Sequence, residues 1–189
     1  MSAKRINSRD FYTCNSEELA QKLIGKIICH DIDGEVIRFR ITETEAYCEN
    51  DTASHSCKYK SGNGVVSQHM IGGVLYVHYD NKDYPGSSFD IVANMEGVAE
   101  SVLIRGGYNL NNKNESYDSK PRLLGEALKI DYHLLNHTDL TESNIIWIED
   151  DSFDTAERII RQKRIGLDTA TDITQVDKNR LLRFTLKSE

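Results

Sequence analysis

From Ile37 onward apolar and polar residues alternate, with Ile37, Phe39 and Ile41 on one side of an extended backbone and Arg38, Arg40 and Thr42 on the other. A period of two predicts a half-buried strand over Glu35–Tyr47. Carried forward, the alternation lays Glu43 and Glu45 on the apolar face, where an ionised carboxylate is costly unless it is paired or used. The bland alternative is a bend near Thr42 that returns both glutamates to water. Tyr47, two residues on, and His55, across a short polar loop, add an aromatic ring and an imidazole at the same strand end. That grouping points to a site.

The rest of the pattern surrounds this strand. Asn15 caps a helix with Glu18 three residues later, Leu19, Ala20, Leu23 and Ile24 form its apolar face, and Gly25 ends it. Lys26–His30 is a short strand, joined to Glu35–Tyr47 through Asp31-Ile32-Asp33-Gly34 as a hairpin. Cys48–Gly73 shows neither period and is expected to be a site-forming loop. Val74–Tyr79 and Phe89–Ala93 read as strands, and Asp80–Ser88 between them as a hairpin with an aromatic tip at Tyr84. Ser101–Arg105 is a strand closed by a Gly106-Gly107 turn, and Tyr108–Ser119 an Asn-rich loop. Pro121 opens a helix with Leu123, Leu124, Ala127 and Leu128 on its face. A strand around Trp147 follows, then a helix over Asp154–Lys163 and a strand over Leu182–Leu186. Strands outnumber helices and hairpin links recur. The expected fold is α/β of the α+β type: residues 1–189 as a single domain, with a curved, mainly antiparallel sheet, helices packed on it and a protruding β-hairpin.

Composition narrows the class. A chain of 189 residues can bury a proper core, and a mean hydropathy of −0.52 is ordinary for a soluble protein. No apolar run is long enough to span a membrane, and the start, Met-Ser-Ala-Lys-Arg-Ile-Asn, is not a signal peptide. The cysteines at 14, 29, 48 and 57 form no Cys-x-x-Cys pair, so a reduced, bacterial-type cytosol is expected. A net charge of −7 confines any nucleic-acid surface to a local patch.

Several chemistries fail on spacing. His55 and Cys57 with His69 or His78, and His133 with His137, lack the tight spacing of a zinc module, so no metal site is expected. Walker, Gly-x-Gly-x-x-Gly and Gly-x-Ser-x-Gly motifs are missing. What remains is a carboxylate base among aromatic rings, with an arginine on a neighbouring strand. That set suits hydrolysis of a bond to a planar ring system.

Ile41-Thr-Glu-Thr-Glu-Ala-Tyr47, Ala53-Ser-His55, Leu75-Tyr-Val77 and Glu96–Arg105 resemble the alkyladenine (3-methyladenine) DNA glycosylase family, a family of monofunctional purine glycosylases. Ser16–Lys26, Leu124–Ile130 and Arg164–Leu167 are similar to family segments in the same order. The resemblance implies base-excision repair. Alkylated or deaminated purines are flipped from damaged double-stranded DNA, and their N-glycosidic bond is hydrolysed to leave an abasic site, without cofactor or metal and by a monomer. It implies Glu45 as the water-activating carboxylate and Tyr47 and His55 as pocket walls. Arg105 would stand near the catalytic water and the DNA backbone.

Departures from the family cluster where DNA would lie. His78 replaces the usual third stacking tyrosine, and Asp90 replaces an asparagine set against the base. The wedge segment becomes Tyr79–Ser88, about two residues longer, which leaves the wedge open between Tyr84 and Tyr79. A basic loop becomes Ser61-Gly-Asn-Gly64. With the acidic charge, these changes keep a second reading in play: a non-catalytic or repurposed homologue that binds modified bases or nucleosides.

Overall fold

The first helix shows how local signals are realised. Asn15 Oδ1 accepts the Glu18 N–H at 2.9 Å, which satisfies one of the free donors at the helix start. The helix α1 then runs over Ser16–Leu23 and buries Leu19, Ala20 and Leu23. Before it lies the short strand β1 (Lys4–Arg5); after it come β2 (Ile27–Ile32) and β3 (Glu35–Tyr47), paired as the expected antiparallel hairpin. A computed structural model describes residues 2–59, 61–79, 87–112 and 114–187.

The remaining elements are α2 (His55–Lys58), α3 (Asn63–Gln68), β4 (Leu75–Val77), β5 (Phe89–Val92), β6 (Ser101–Asn109) and α4 (Pro121–Ala127). They are followed by α5 (Tyr132–Leu135), β7 (Ile146–Asp150), β8 (Ile159–Gln162), α6 (Gln175–Asn179) and β9 (Arg183–Leu186). All the strands join one curled antiparallel sheet in the order β1-β7-β2-β3-β6-β5-β4, with β9 on β3 and β8 on β9. Helices α1 and α4 pack on one face. There Leu19, Leu23, Leu124 and Leu128 meet Phe39, Ile41, Val102 and Ile104 in the main core. Truncating a leucine in such a core costs about 2–5 kcal/mol.

Four expectations change. First, the alternation of β3 does not continue past Ile41. Thr42 is an extra residue opposite β6, so Ile41 pairs with Gly107 and Glu43 with Gly106. The bulge hands the α1 side to Thr44, whose hydroxyl donates to the Ala20 carbonyl at 2.9 Å, and to Ala46. Glu43 and Glu45 therefore stand on the opposite face from Phe39 and Ile41, yet both are buried, so the return to water is also overturned.

Second, Gly106 and Gly107 form no turn and lie inside β6. A Cβ at Gly107 would approach the Arg40 carbonyl to 2.8 Å, so glycine serves close approach here. Third, Asp154–Lys163 is not a helix. Asp154 Oδ1 accepts the Ala156 N–H at 2.9 Å in a local turn, Glu157 has φ +57, and β8 then pairs with β9. Fourth, the aperiodic stretch after Cys48 contains the two short helices α2 and α3, which carry His55 and Gln68.

Candidate active site

Four strands bring the site together in register. Glu45 on β3 pairs with Leu103 on β6, Leu103 with Asp90 on β5, and Asp90 with Tyr76 on β4. Because strand side chains alternate, these positions share one face, and Tyr47 and Arg105 lie two residues along on the same side. α2 adds His55 from above.

Glu45 is fully buried and held at both oxygens. Its Oε2 accepts the Tyr47 hydroxyl at 2.9 Å and Arg105 Nη1 at 3.2 Å, while Oε1 accepts the backbone N–H of Ile165 at 2.7 Å. A carboxylate offers about four lone-pair sites. Among the described residues three are taken, which leaves one on Oε1. Burial raises the Glu45 carboxyl above its ordinary range, against the opposing pull of Arg105, the Ile165 N–H, Tyr47 and Arg164. Burial and the neighbouring Glu45 push the Tyr47 phenol up in turn, so it stays protonated and donating.

Glu43 has a different environment. It accepts the Ser119 N–H and hydroxyl at 2.8 Å each and Arg183 Nη1 at 3.0 Å, with Arg105 Nε 3.3 Å away. Its hydrogen-bond donors number three among the described residues, as for Glu45, and Arg105 Nε is an ion-pair neighbour that makes no hydrogen bond there.

Beside Glu45 a cavity of about 90 Å³ is lined by Tyr47, Ala53, His55, Gln68, His78, Asp90 and Leu103. The four residues expected to form the pocket thus line one cavity. Glu45 and Arg105 stand behind its wall, joined to it through the Tyr47 hydroxyl. Drug-sized ligands need roughly 300–1,000 Å³, so this space is small by comparison. A groove of about 590 Å³ opens beyond Glu43, lined mostly by charged and polar side chains such as Asp118, Arg158 and Arg183.

His55 Nδ1 and the Tyr76 hydroxyl are 3.0 Å apart, and the Tyr76 ring stacks on His78 with centroids at 4.4 Å. Burial and the nearby His78 lower the His55 pKa, so its imidazole is neutral at neutral pH. Asp90 Oδ1 lies 2.7 Å from His78 Nε2, and Oδ2 accepts the Ser101 hydroxyl at 2.7 Å. Tyr79 is not in the cavity wall. Its ring is half exposed and meets Tyr132 edge-on at 4.9 Å. Tyr84 lies outside the described residues.

Sequence reasoning missed three participants. Tyr76 had a signal in the Leu-Tyr-Val segment, and Gln68, whose amide donates to Ser101 Oγ at 2.9 Å, had none. The third is the Arg164-Ile165 segment. Arg164 is sealed against Asp51 at 2.6 Å, with its guanidinium 4.9 Å from the Tyr47 ring centroid. Among the described residues no group of three or more His, Cys, Asp or Glu is arranged to hold a metal ion, and no helix is long and apolar enough to cross a membrane.

The α/β fold thus sets a buried carboxylate, held by three donors among the described residues, beside an aromatic-walled cavity. The model of the methylpurine-DNA glycosylase (MPG) family matches residues 10–189, and the chain belongs to that family. It is a DNA glycosylase, with a role in repair of alkylated bases and damaged DNA as its partner. A Clostridium beijerinckii protein named "Putative 3-methyladenine DNA glycosylase" is 31% identical over 187 residues, covering 88% of this chain and 90% of its own. A Clostridium botulinum protein of the same name is 31% identical over 185 residues, covering 87% and 89%.

Proposed function

We propose that the protein flips alkylated or deaminated purines, 3-methyladenine among them, out of duplex DNA and hydrolyses their N-glycosidic bond with a water activated by Glu45. The observation that carries this reading is a fully buried carboxylate, fixed by three donors with an acceptor site left among the described residues, joined through Tyr47 to the aromatic-walled cavity. Glu45 takes a proton from water, the water oxygen attacks C1′, and the electron pair of the C1′–N9 bond leaves with the purine. The transition state is oxocarbenium-like, so the buried negative charge beside the sugar also offsets developing positive charge.

Tyr47, His55 and His78 hold the flipped base, and Asp90 reads its edge. Alkylation places positive charge on the purine, and an aromatic face attracts a cation by roughly 0.5–2 kcal/mol when desolvated. Neutral His55 keeps that wall free of a repelling charge. The wedge that fills the gap in the stack is Tyr84 or Tyr79.

The test is abasic-site formation on duplexes carrying 3-methyladenine, hypoxanthine or ethenoadenine, with and without chelator. Excision that survives chelation supports the reading. Binding without excision would favour a repurposed base-binding homologue, and loss on chelation a metal-dependent hydrolase.

A further inference from the structure

Two carboxylates on one strand face share a single arginine. Thr42 is extra on β3 and Arg105 on β6, so Glu43 pairs with Gly106 and Thr44 with Ile104. This double irregularity sets Glu43 and Glu45 beside Arg105. A Cβ at Gly106 would stand 3.1 Å from Glu43 Cβ and 3.0 Å from the Tyr117 carbonyl, so the approach is close.

Arg105 bridges the pair, with Nε 3.3 Å from Glu43 Oε1 and Nη1 3.2 Å from Glu45 Oε2. Glu43 holds a second arginine, Arg183, whose Nη1 is 3.0 Å from the same Oε1. Arg183 Nε donates in turn to the Lys163 carbonyl at 3.1 Å. Two residues further on is the Ile165 N–H that fixes Glu45 Oε1. One of the two side-chain donors on Oε2, Arg105, and the segment bearing the backbone donor on Oε1 are thus both tied to Glu43. Glu43 itself is anchored to the chain by Ser119.

We infer that Glu43 is a positioning residue for base excision: through Arg105 and Arg183 it holds the groups that orient the Glu45 carboxylate. The inference rests on Glu45 being the water-activating base. A general base works only with its lone pair aimed, and an arginine fixed at one end alone is free to swing. Among the described residues Nε makes no hydrogen bond, but its ion pair with Glu43 at 3.3 Å restrains that end of the guanidinium. Arg105 also draws the Glu45 carboxyl down against burial, so an Arg105 set loose lets it rise further.

The experiment is single-turnover excision of hypoxanthine from duplex DNA as a function of pH for wild type, Glu43→Ala and Glu43→Gln. Each variant is also combined with Arg105→Met, and affinity for a duplex with an abasic-site analogue is measured in parallel. Glu43→Ala is expected to lose about 10²-fold in rate, the scale of a misplacement near 1 Å. Its acid limb moves to higher pH, DNA affinity stays unchanged, and the loss shrinks in the Arg105→Met background. Glu43→Gln keeps the volume and one acceptor oxygen; it shows the same changes in smaller degree and serves where the alanine variant does not fold. Wild-type rate and acid limb in Glu43→Gln overturn the inference. So does a loss matched by DNA affinity with the limb unmoved, or full additivity with Arg105→Met. An active Glu45→Gln beside an inactive Glu43→Gln overturns both this inference and the assignment of Glu45.

Discussion

The backbone N–H of Ile165 donates to Oε1 of Glu45 at 2.7 Å across 120 residues of chain. A backbone donor cannot rotate away as a side chain can, so one oxygen of the carboxylate has a fixed direction. That direction depends on the β8–β9 pair, whose β9 lies beside β3, and on the sealed Arg164, all distant in sequence from the strand that carries Glu45.

With Glu45 so held, Glu45→Gln should keep fold and DNA binding and lose excision by ~10²–10⁴-fold, the usual span for a positioned base. Single-turnover release of a purine lesion, beside a binding isotherm for the same duplex, gives the comparison. Wild-type excision in the variant would remove Glu45 from the chemistry.

The pH dependence has a definite sign. Burial raises the Glu45 pKa in the folded state, and the neighbouring donors only partly oppose it. The folded protein then holds this proton more tightly than the unfolded chain. The stability from that proton is fully present below the unfolded pKa and is lost as pH rises through the folded one. Glutamine does not titrate. Urea denaturation should show wild type losing stability relative to Glu45→Gln as pH climbs from about 4 towards neutral, and the acid limb of excision should lie above the ordinary carboxylate range. A pH-independent stability difference would contradict the raised pKa.

Asp51 and Arg164 form an ion pair with both side chains fully buried. Removing one partner leaves an uncompensated charge, which costs about 3–5 kcal/mol. Asp51→Ala should show that loss in the denaturation midpoint. Excision should fall beyond what unfolding accounts for, because Arg164 precedes the Ile165 donor. An unchanged midpoint would mean that Arg164 finds another partner.

Among the described residues Asp90 is paired with His78 and Ser101, and not with Arg105 or a lysine, yet it remains in the cavity wall. On the proposed function, a carboxylate here would accept from the exocyclic amine of guanine and favour a cationic purine, where an amide would also donate. Release of 7-methylguanine relative to hypoxanthine should drop in Asp90→Asn. A ratio that holds or rises would take Asp90 out of base selection.

For the wedge, Tyr84→Ala and Tyr79→Ala are compared on paired and single-stranded lesions. The wedge residue offsets an unstacking cost of a few kcal/mol that only the duplex imposes. Its loss should therefore weaken capture of paired lesions more. Equal losses on both substrates would reduce that ring to packing, which for Tyr79 is already visible against Tyr132.

Local physics determined much of this protein from sequence alone. The Asn15 cap and the apolar spacing after it specify α1, and the alternation from Ile37 specifies the first half of β3. Hairpin chemistry at Asp33-Gly34 specifies the β2–β3 pair, since both residues adopt positive φ there. The grouping of Glu45, Tyr47 and His55 was legible because two of the three lie on one strand and the third follows a short loop.

Tertiary structure decided the rest. A bulge exists only against a partner strand, so nothing within Arg40–Ala46 tells that Thr42 is extra and that both glutamates change face. Ala156, Ile159 and Ile160 fit a helical face as well as a strand, and pairing with β9 settled the choice. The Ile165 donor carries no side-chain signal at all. A backbone N–H is the same in every residue but proline, and only the path of the chain brings this one to Glu45.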